Sequence, residues 1–241
     1  MLVAGLLLKL VLAASVFGLA RVDQPTLRWT DPVAMLAAAQ VPLGANLFDV
    51  RTAPIEARLE ALPGVAAARV SVALPDALVI QIDERVPLLA WQVGEASYLV
   101  DGDGVLFAAA DPAAIAAAGL PVVVDDRVGS IDRLFVGARL DPIDLDVATR
   151  LGALKPSDVG STARALQVEV GDDNGYTLQT GPASWTAIFG FYSPGLRDAD
   201  LIPGQVRLLR SLLADREAVV AKVFLAGEKQ GTYIPKPTSS H

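Results

Sequence analysis

Apolar and polar positions along this chain change their period several times, and each change marks a predicted element. From Leu2 to Ala20 every residue is apolar or small except Lys9 and Ser15. About twenty such residues span a bilayer core as a helix. Seven Leu, three Val and one Phe favour insertion, each by roughly 0.3–0.6 kcal/mol, against about 2.5–3.5 kcal/mol for a central Lys. Lys9 can lower that cost by snorkelling toward the headgroups. The pattern predicts a membrane anchor over residues 1–20. The competing reading is a cleaved signal peptide with Gly18 and Ala20 at its small-residue positions. The missing cationic n-region and the length of the segment favour the anchor.

Beyond the anchor, Val22–Trp29 reads as a strand. Asp31-Pro32 starts a helix to about Gln40, with Asp as N-cap and Pro at the first helical position. Pro42-Leu43-Gly44 breaks it. Thr52 caps a second predicted helix, whose Ile55, Leu59 and Leu62 fall on one stripe before Pro63-Gly64 ends it. Ala68, Val70, Val72 and Leu74 then alternate with Arg69, Ser71 and Ala73, and Leu78, Ile80 and Ile82 with Val79, Gln81 and Asp83. Both runs have strand period, with a Pro75-Asp76 turn between them. The order is β-α-α-β-β, with both helices on one face of a three-stranded sheet, over residues 22–92. Leu59, Leu62, Val70, Val72, Ile80 and Ile82 are its expected core.

A second domain is expected over residues 93–236. Ser97–Val100 and Val105–Ala108 flank Asp101-Gly102-Asp103-Gly104, and Leu166–Val170 and Tyr176–Gln179 flank Asp173-Asn174-Gly175; both are hairpin signals. Helices are expected at Asp111–Ala118, around Leu145–Leu154 and at Pro203–Asp215. Strands are expected at Trp185–Tyr192, Val219–Leu225 and Thr232–Pro235, and residues 237–241 form a polar tail. The predicted class is α+β: an N-terminal transmembrane helix, a small β-α-α-β-β domain, then a mostly antiparallel sheet with interspersed helices.

Composition narrows the function. A formal net charge of −7 with scattered basic residues argues against nucleic acid, which needs a dense Lys/Arg patch. The chain has no cysteine, and its one histidine is His241, which leaves no disulfide, thiolate metal site or Ser-His-Asp triad. Asp101–Gly104 lacks the later ligands of a calcium loop, since Val105, Leu106 and Pro112 stand at its fifth, sixth and twelfth positions; it reads as a turn. Asp172–Asn174 reads the same way. Asp83, Glu84 and Arg85 read as a strand-end ion pair rather than acid–base groups. Trp91, Trp185 and Tyr192 read as core anchors. No catalytic, cofactor-binding or metal-binding residue is expected.

Several short motifs occur in a fixed order: G-x-N-L-F at Gly44–Phe48, L-x-x-L-P at Leu59–Pro63, L-P at Leu74–Pro75, and I-D-E-R-V-P-x-x-A-W from Ile82 to Trp91. Together they resemble the FtsQ-type POTRA domain of the bacterial FtsQ/DivIB cell-division family, and Trp185–Gly190 resembles the W-x-x-x-F-G of its β domain. The resemblance implies a non-enzymatic divisome scaffold, single-pass in the cytoplasmic membrane at the division septum. Its folded domains would lie on the extracytoplasmic side, and it would help regulate septal peptidoglycan synthesis. Implied partners are FtsB/DivIC and FtsL, other division proteins through the POTRA domain, and the bilayer through Leu2–Ala20. The family docks its partner at the last strand, which implies contacts at Leu225, Lys229, Thr232, Tyr233 and Ile234. That strand is expected to be a sheet edge able to accept another strand. Rival readings are a POTRA-bearing secretion or envelope-assembly component, which would need repeats or a barrel absent here, and an exported carboxylate-dependent hydrolase.

Overall fold

The computed structural model describes residues 21–23, 26–41, 44–181, 185–195 and 197–237. The predicted anchor, Leu2–Ala20, lies outside them; among the described residues no helix is long and apolar enough to cross a membrane. The chain divides into two units between Val86 and Pro87.

The first unit holds β1 (Arg21–Asp23), α1 (Pro32–Ala39), a 3-10 turn (Leu47–Asp49), α2 (Thr52–Glu60), β2 (Val65–Ala73) and β3 (Ala77–Glu84). Its sheet runs β1-β3-β2, with β1 parallel to β3 and β2 antiparallel to it. Asp31 caps α1 as expected, accepting from Val33 N at 3.1 Å and Ala34 N at 3.2 Å. Thr52 does not cap α2: it is the first helical residue, and Arg51 at the N-cap supplies no side-chain bond. The first strand also stops at Asp23, well short of Trp29. The backbone N–H groups of Arg28, Trp29 and Thr30 turn onto the Glu84 carboxylate at 2.6, 2.8 and 2.7 Å, so they are taken from any ladder.

Met35, Ala39, Leu47, Ile55, Leu59, Val65, Ala68, Val70, Leu78 and Ile80 form the first unit's core. Leu62 and Ile82 pack against it only partly buried, and Val72 stays 38% exposed. Val72 pairs with Leu78 next to the hairpin end, beyond the Val70–Ile80 pair where the buried strand positions of β2 stop. β2 is an edge strand, and α2 covers part of that edge. Glu60 accepts from Ala68 N at 3.3 Å and Glu56 from Val70 N at 2.8 Å. Ile80, 2% exposed, should cost about 2–5 kcal/mol on truncation to Ala. A thermal melt of the first unit checks this, and an unmoved midpoint would contradict the packing.

The second unit holds β4 (Leu89–Val93), β5 (Ala96–Val100), β6 (Leu106–Ala109), α3 (Pro112–Ala117), β7 (Val122–Asp125), α4 (Ser130–Arg133), α5 (Pro142–Gly152), β8 (Gln167–Gly171), β9 (Gly175–Gln179), β10 (Thr186–Gly190), α6 (Ile202–Leu213), β11 (Val220–Leu225) and β12 (Gly231–Pro235). They make one nine-stranded sheet in the order β12-β11-β10-β9-β8-β7-β4-β5-β6. The sheet is mixed rather than simply antiparallel, because β4–β7, β7–β8 and β10–β11 are parallel. Parallel neighbours need long crossovers. Here α3, α5 and α6 lie in those three crossovers, which is why helices intersperse the strands. β4 is a near-continuous buried run, as a central strand with parallel pairing should be, whereas β7 alternates half-buried Val122 and Val124 with buried Val123 and Asp125.

Trp91 on β4 therefore belongs to the second unit, whereas the sequence placed it in the first. Its ring is fully buried, as is that of Trp185. Trp91 Nε1 donates to Asp125 Oδ2 at 3.1 Å, inside a buried polar cluster. Arg127 donates to both Asp125 oxygens, at 3.0 and 2.8 Å, and Ser130 Oγ to one of them at 3.0 Å. Arg127 also pairs with Asp144 at 2.9 Å, and Tyr176 OH donates to Asp144 at 2.6 Å. Burial opposes ionisation of Asp125, but the bonds from Arg127 and Ser130 outweigh it and hold the carboxyl below its usual range. Buried charge is tolerated here because every oxygen has a donor.

Candidate functional site

The acidic turns are backbone devices. Asp101 Oδ1 accepts from Asp103 N at 3.0 Å and Val105 N at 2.8 Å, closing the β5–β6 turn. Asp172 accepts from Val128 N at 2.7 Å, and Gly175 supplies the positive φ at the start of β9. Among the described residues no group of three or more His, Cys, Asp or Glu is placed to hold a metal ion. At the strand end, Glu84 and Arg85 both reach backbone groups. Glu84 binds the three backbone donors described above, and Arg85 Nε donates to Pro63 O at 2.9 Å. Burial pushes Glu84 up, but those backbone donors prevail and hold it below its usual range.

β12 is the outermost strand of the nine-stranded sheet, and all of Gly231–Pro235 are exposed. Its inner side pairs antiparallel with β11 in the register Lys222–Ile234, Val223–Tyr233 and Phe224–Thr232. Among the described residues no strand pairs with its outer side. Val223 is buried, so the pleat puts Tyr233 on the core face, the same face as α6, where it is still 36% exposed. Thr232 and Ile234 share the opposite face with Lys222 and Phe224; Ile234 is 48% and Phe224 37% exposed. Lys229 is exposed in the β11–β12 turn. Leu225 is 2% exposed and belongs to the core. It therefore backs the edge instead of facing a partner, because its position on β11 alternates with outward-facing Phe224.

The direction of the backbone groups follows from one bond. Lys236 N donates to Val219 O at 2.7 Å, toward β11. Alternation along the strand then turns the N–H groups of Ile234 and Thr232 toward β11, and those of Tyr233 and Gly231 outward. Pro235 occupies the next outward position, where no donor is needed, as Pro on an edge strand should. Ile234→Pro would thus break the β11–β12 ladder itself. The donor offered to a newcomer is Tyr233.

Two side chains hold the end of β11. Gln205 on α6 is fully buried. It donates from Nε2 to Phe189 O at 3.2 Å and Leu225 O at 2.9 Å, and accepts from Tyr192 OH at 2.7 Å. Arg197 donates from Nη2 to the same two carbonyls at 2.6 and 2.7 Å. Carbonyls at the C-terminal ends of parallel β10 and β11 are thereby clamped together, so the turn into β12 leaves from a fixed point. Gly204 lets that turn approach α6. A Cβ there would meet Glu228 Cγ at 2.5 Å and Cβ at 2.6 Å. None of these residues was marked by a motif. Gln205 was the detectable one, since it lies on the Ile202–Leu209 apolar stripe where a polar residue must find partners.

Glu217 braces the other end of β11. It accepts from Ser161 Oγ, from Thr162 N at 3.0 Å and Oγ1 at 2.7 Å, and from Trp185 Nε1 at 3.0 Å. Burial works to raise its pKa, but these donors overcome that and hold it down at about 2. A depressed carboxyl contributes stability that is present above its unfolded pKa and lost as pH falls through the folded one. Wild-type stability should therefore drop as pH falls from about 4.5 toward 2, and Glu217→Gln should flatten that drop while lowering stability at neutral pH. Chemical denaturation across this range checks it; identical pH slopes would contradict the bonding.

The arrangement is a small β-α-α-β-β module followed by a large mixed sheet in which β12 is an edge strand. The family model for the FtsQ-type POTRA domain matches residues 30–85. The cell division protein FtsQ of Streptomyces collinus is 32% identical over 183 residues, covering 75% of this chain and 68% of the relative. FtsQ of Jannaschia is 29% identical over 210 residues, covering 78% and 64%. FtsQ of Mycobacteroides abscessus is 38% identical over 78 residues, covering 32% and 25%. The chain belongs to the FtsQ family of cell division proteins. It spans between a quarter and about two thirds of the length of these three relatives.

Proposed function

We propose that this chain is a non-enzymatic divisome scaffold that docks a partner strand on the outer side of β12. Leu2–Ala20 anchors it once in the cytoplasmic membrane, and both folded units lie on the extracytoplasmic side at the septum. There it bridges FtsB or DivIC and FtsL, and so helps regulate septal peptidoglycan synthesis. Other division proteins meet the POTRA unit. The single observation that carries the docking reading is the outer side of β12, unpaired among the described residues, with the Tyr233 N–H directed outward. Strand addition uses such an edge: main-chain bonds give affinity, and alternate side chains give specificity. The exposed Phe224 and Ile234 beside it supply apolar area on one face, and Lys229 a charge at the turn.

A fluorescent fusion of the full chain, expressed in dividing cells in which the native copy is depleted, tests the function. Mid-cell recruitment with restored division is the expected result. Diffuse membrane fluorescence, with cells that remain filamentous, would contradict it.

A further inference from the structure

We propose that the β2–β3 hairpin tip is a second membrane contact, with Leu74 and Pro75 seated at the boundary between headgroups and acyl chains. The proposal rests on the reading of Leu2–Ala20 as the bilayer anchor. The argument is one of register. Arg21, the first residue after that apolar segment, starts β1 and pairs with Ala77, the first residue of β3. β1 and β3 are parallel, so both strands leave the membrane in the same direction. The hairpin that precedes Ala77 must then point back at the bilayer.

Neighbouring strands lie about 4.8 Å apart, and Leu74 is three residues from Ala77, so it sits within roughly 15 Å of the point where the chain leaves the anchor. At this tip the unit is unusually apolar for an exposed turn. Leu74 is 58% exposed and Val72 38%, with Pro75 exposed between Leu74 and Asp76. Interfacial amphipathic helices bury an apolar side about 5–10 Å into this boundary; Leu74 and Pro75 at the tip would use the same layer, with Asp76 at headgroup level. Two points of attachment, the anchor and the tip, would fix how the first unit stands on the membrane; an anchor alone leaves it free to swivel.

The chain has no cysteine, so a single introduced thiol takes a unique label. Leu74→Cys and, as the control, Ala66→Cys near the far end of β2 would each carry an environment-sensitive dye. The two positions lie roughly 26 Å apart along an extended strand. The full-length variants are reconstituted in vesicles of phosphatidylethanolamine and phosphatidylglycerol, and retention after alkaline extraction reports the anchor. The expected result is a chain retained in the vesicles, with blue-shifted emission at position 74 that lipid-borne quenchers reduce, and with position 66 unaffected. A retained chain whose position 74 emits as in water, or is quenched no more than position 66, overturns the hairpin contact and leaves the anchor standing. A chain released by the extraction overturns the anchor reading and the inference with it.

Discussion

Trp91→Ala should destabilise the second unit by about 3–5 kcal/mol, the usual cost of removing a fully buried indole. Trp91 is 0% exposed and lies on β4, between β7 and β5 in the sheet. Its truncation leaves a cavity in the middle of the core and removes the Nε1 donor from Asp125. Asp125 keeps its bonds from Arg127 and Ser130, so the damage is chiefly lost packing. Because the chain divides at Val86–Pro87, the effect should fall on the second unit alone. Hydrogen exchange read unit by unit during denaturation checks both statements. A loss confined to residues 21–86, or a total loss below about 1 kcal/mol, would contradict the placement of this ring.

Tyr233→Ala should weaken partner binding about thirtyfold. Aromatic anchors at the centre of an interface often cost about 2 kcal/mol or more on truncation, which is that factor in affinity. Tyr233→Pro should cost about fivefold more than Tyr233→Ala. Both lose the ring, but only Pro also loses the outward N–H, a bond worth about 1 kcal/mol. Pro is tolerated on an edge when its missing donor faces solvent, so the fold should survive, as circular dichroism would show. Titration of the wild-type outer region and both variants with the extracytoplasmic segment of FtsB measures this. Equal affinities for Ala and Pro would mean that side chains dock without a ladder.

The first unit was legible because its elements carry undiluted periods. Asp31-Pro32, the Ile55–Leu59 stripe and the alternations around Val70 and Ile80 each point to one structure, and their order points to POTRA. What failed there was local competition: Glu84 gathers the N–H groups of residues 28–30, a contact between positions more than fifty apart that no local pattern reveals. In the second unit the hairpins at Asp101–Gly104 and Asp173–Gly175 were legible from turn chemistry. β4 and β7 were not: β4 is buried on both faces and lacks alternation, β7 is a four-residue run too short to show a period, and the parallel pairings they make depend on crossovers rather than on neighbours in sequence. The edge position of β12 could be expected from its place at the end of the fold. The inward orientation of the Ile234 N–H, the burial of Leu225 and the Arg197–Gln205 clamp are tertiary facts, and only the buried polar Gln205 left a trace in the pattern.

Amide hydrogen exchange at Tyr233, measured in the free outer region and in its complex with the FtsB segment, tests strand addition most directly. The Tyr233 amide faces outward and should exchange quickly in the free protein, then slow sharply on binding, while the Ile234 amide, already directed at β11, changes little. A Tyr233 amide that exchanges equally fast in the saturated complex would contradict docking at this edge.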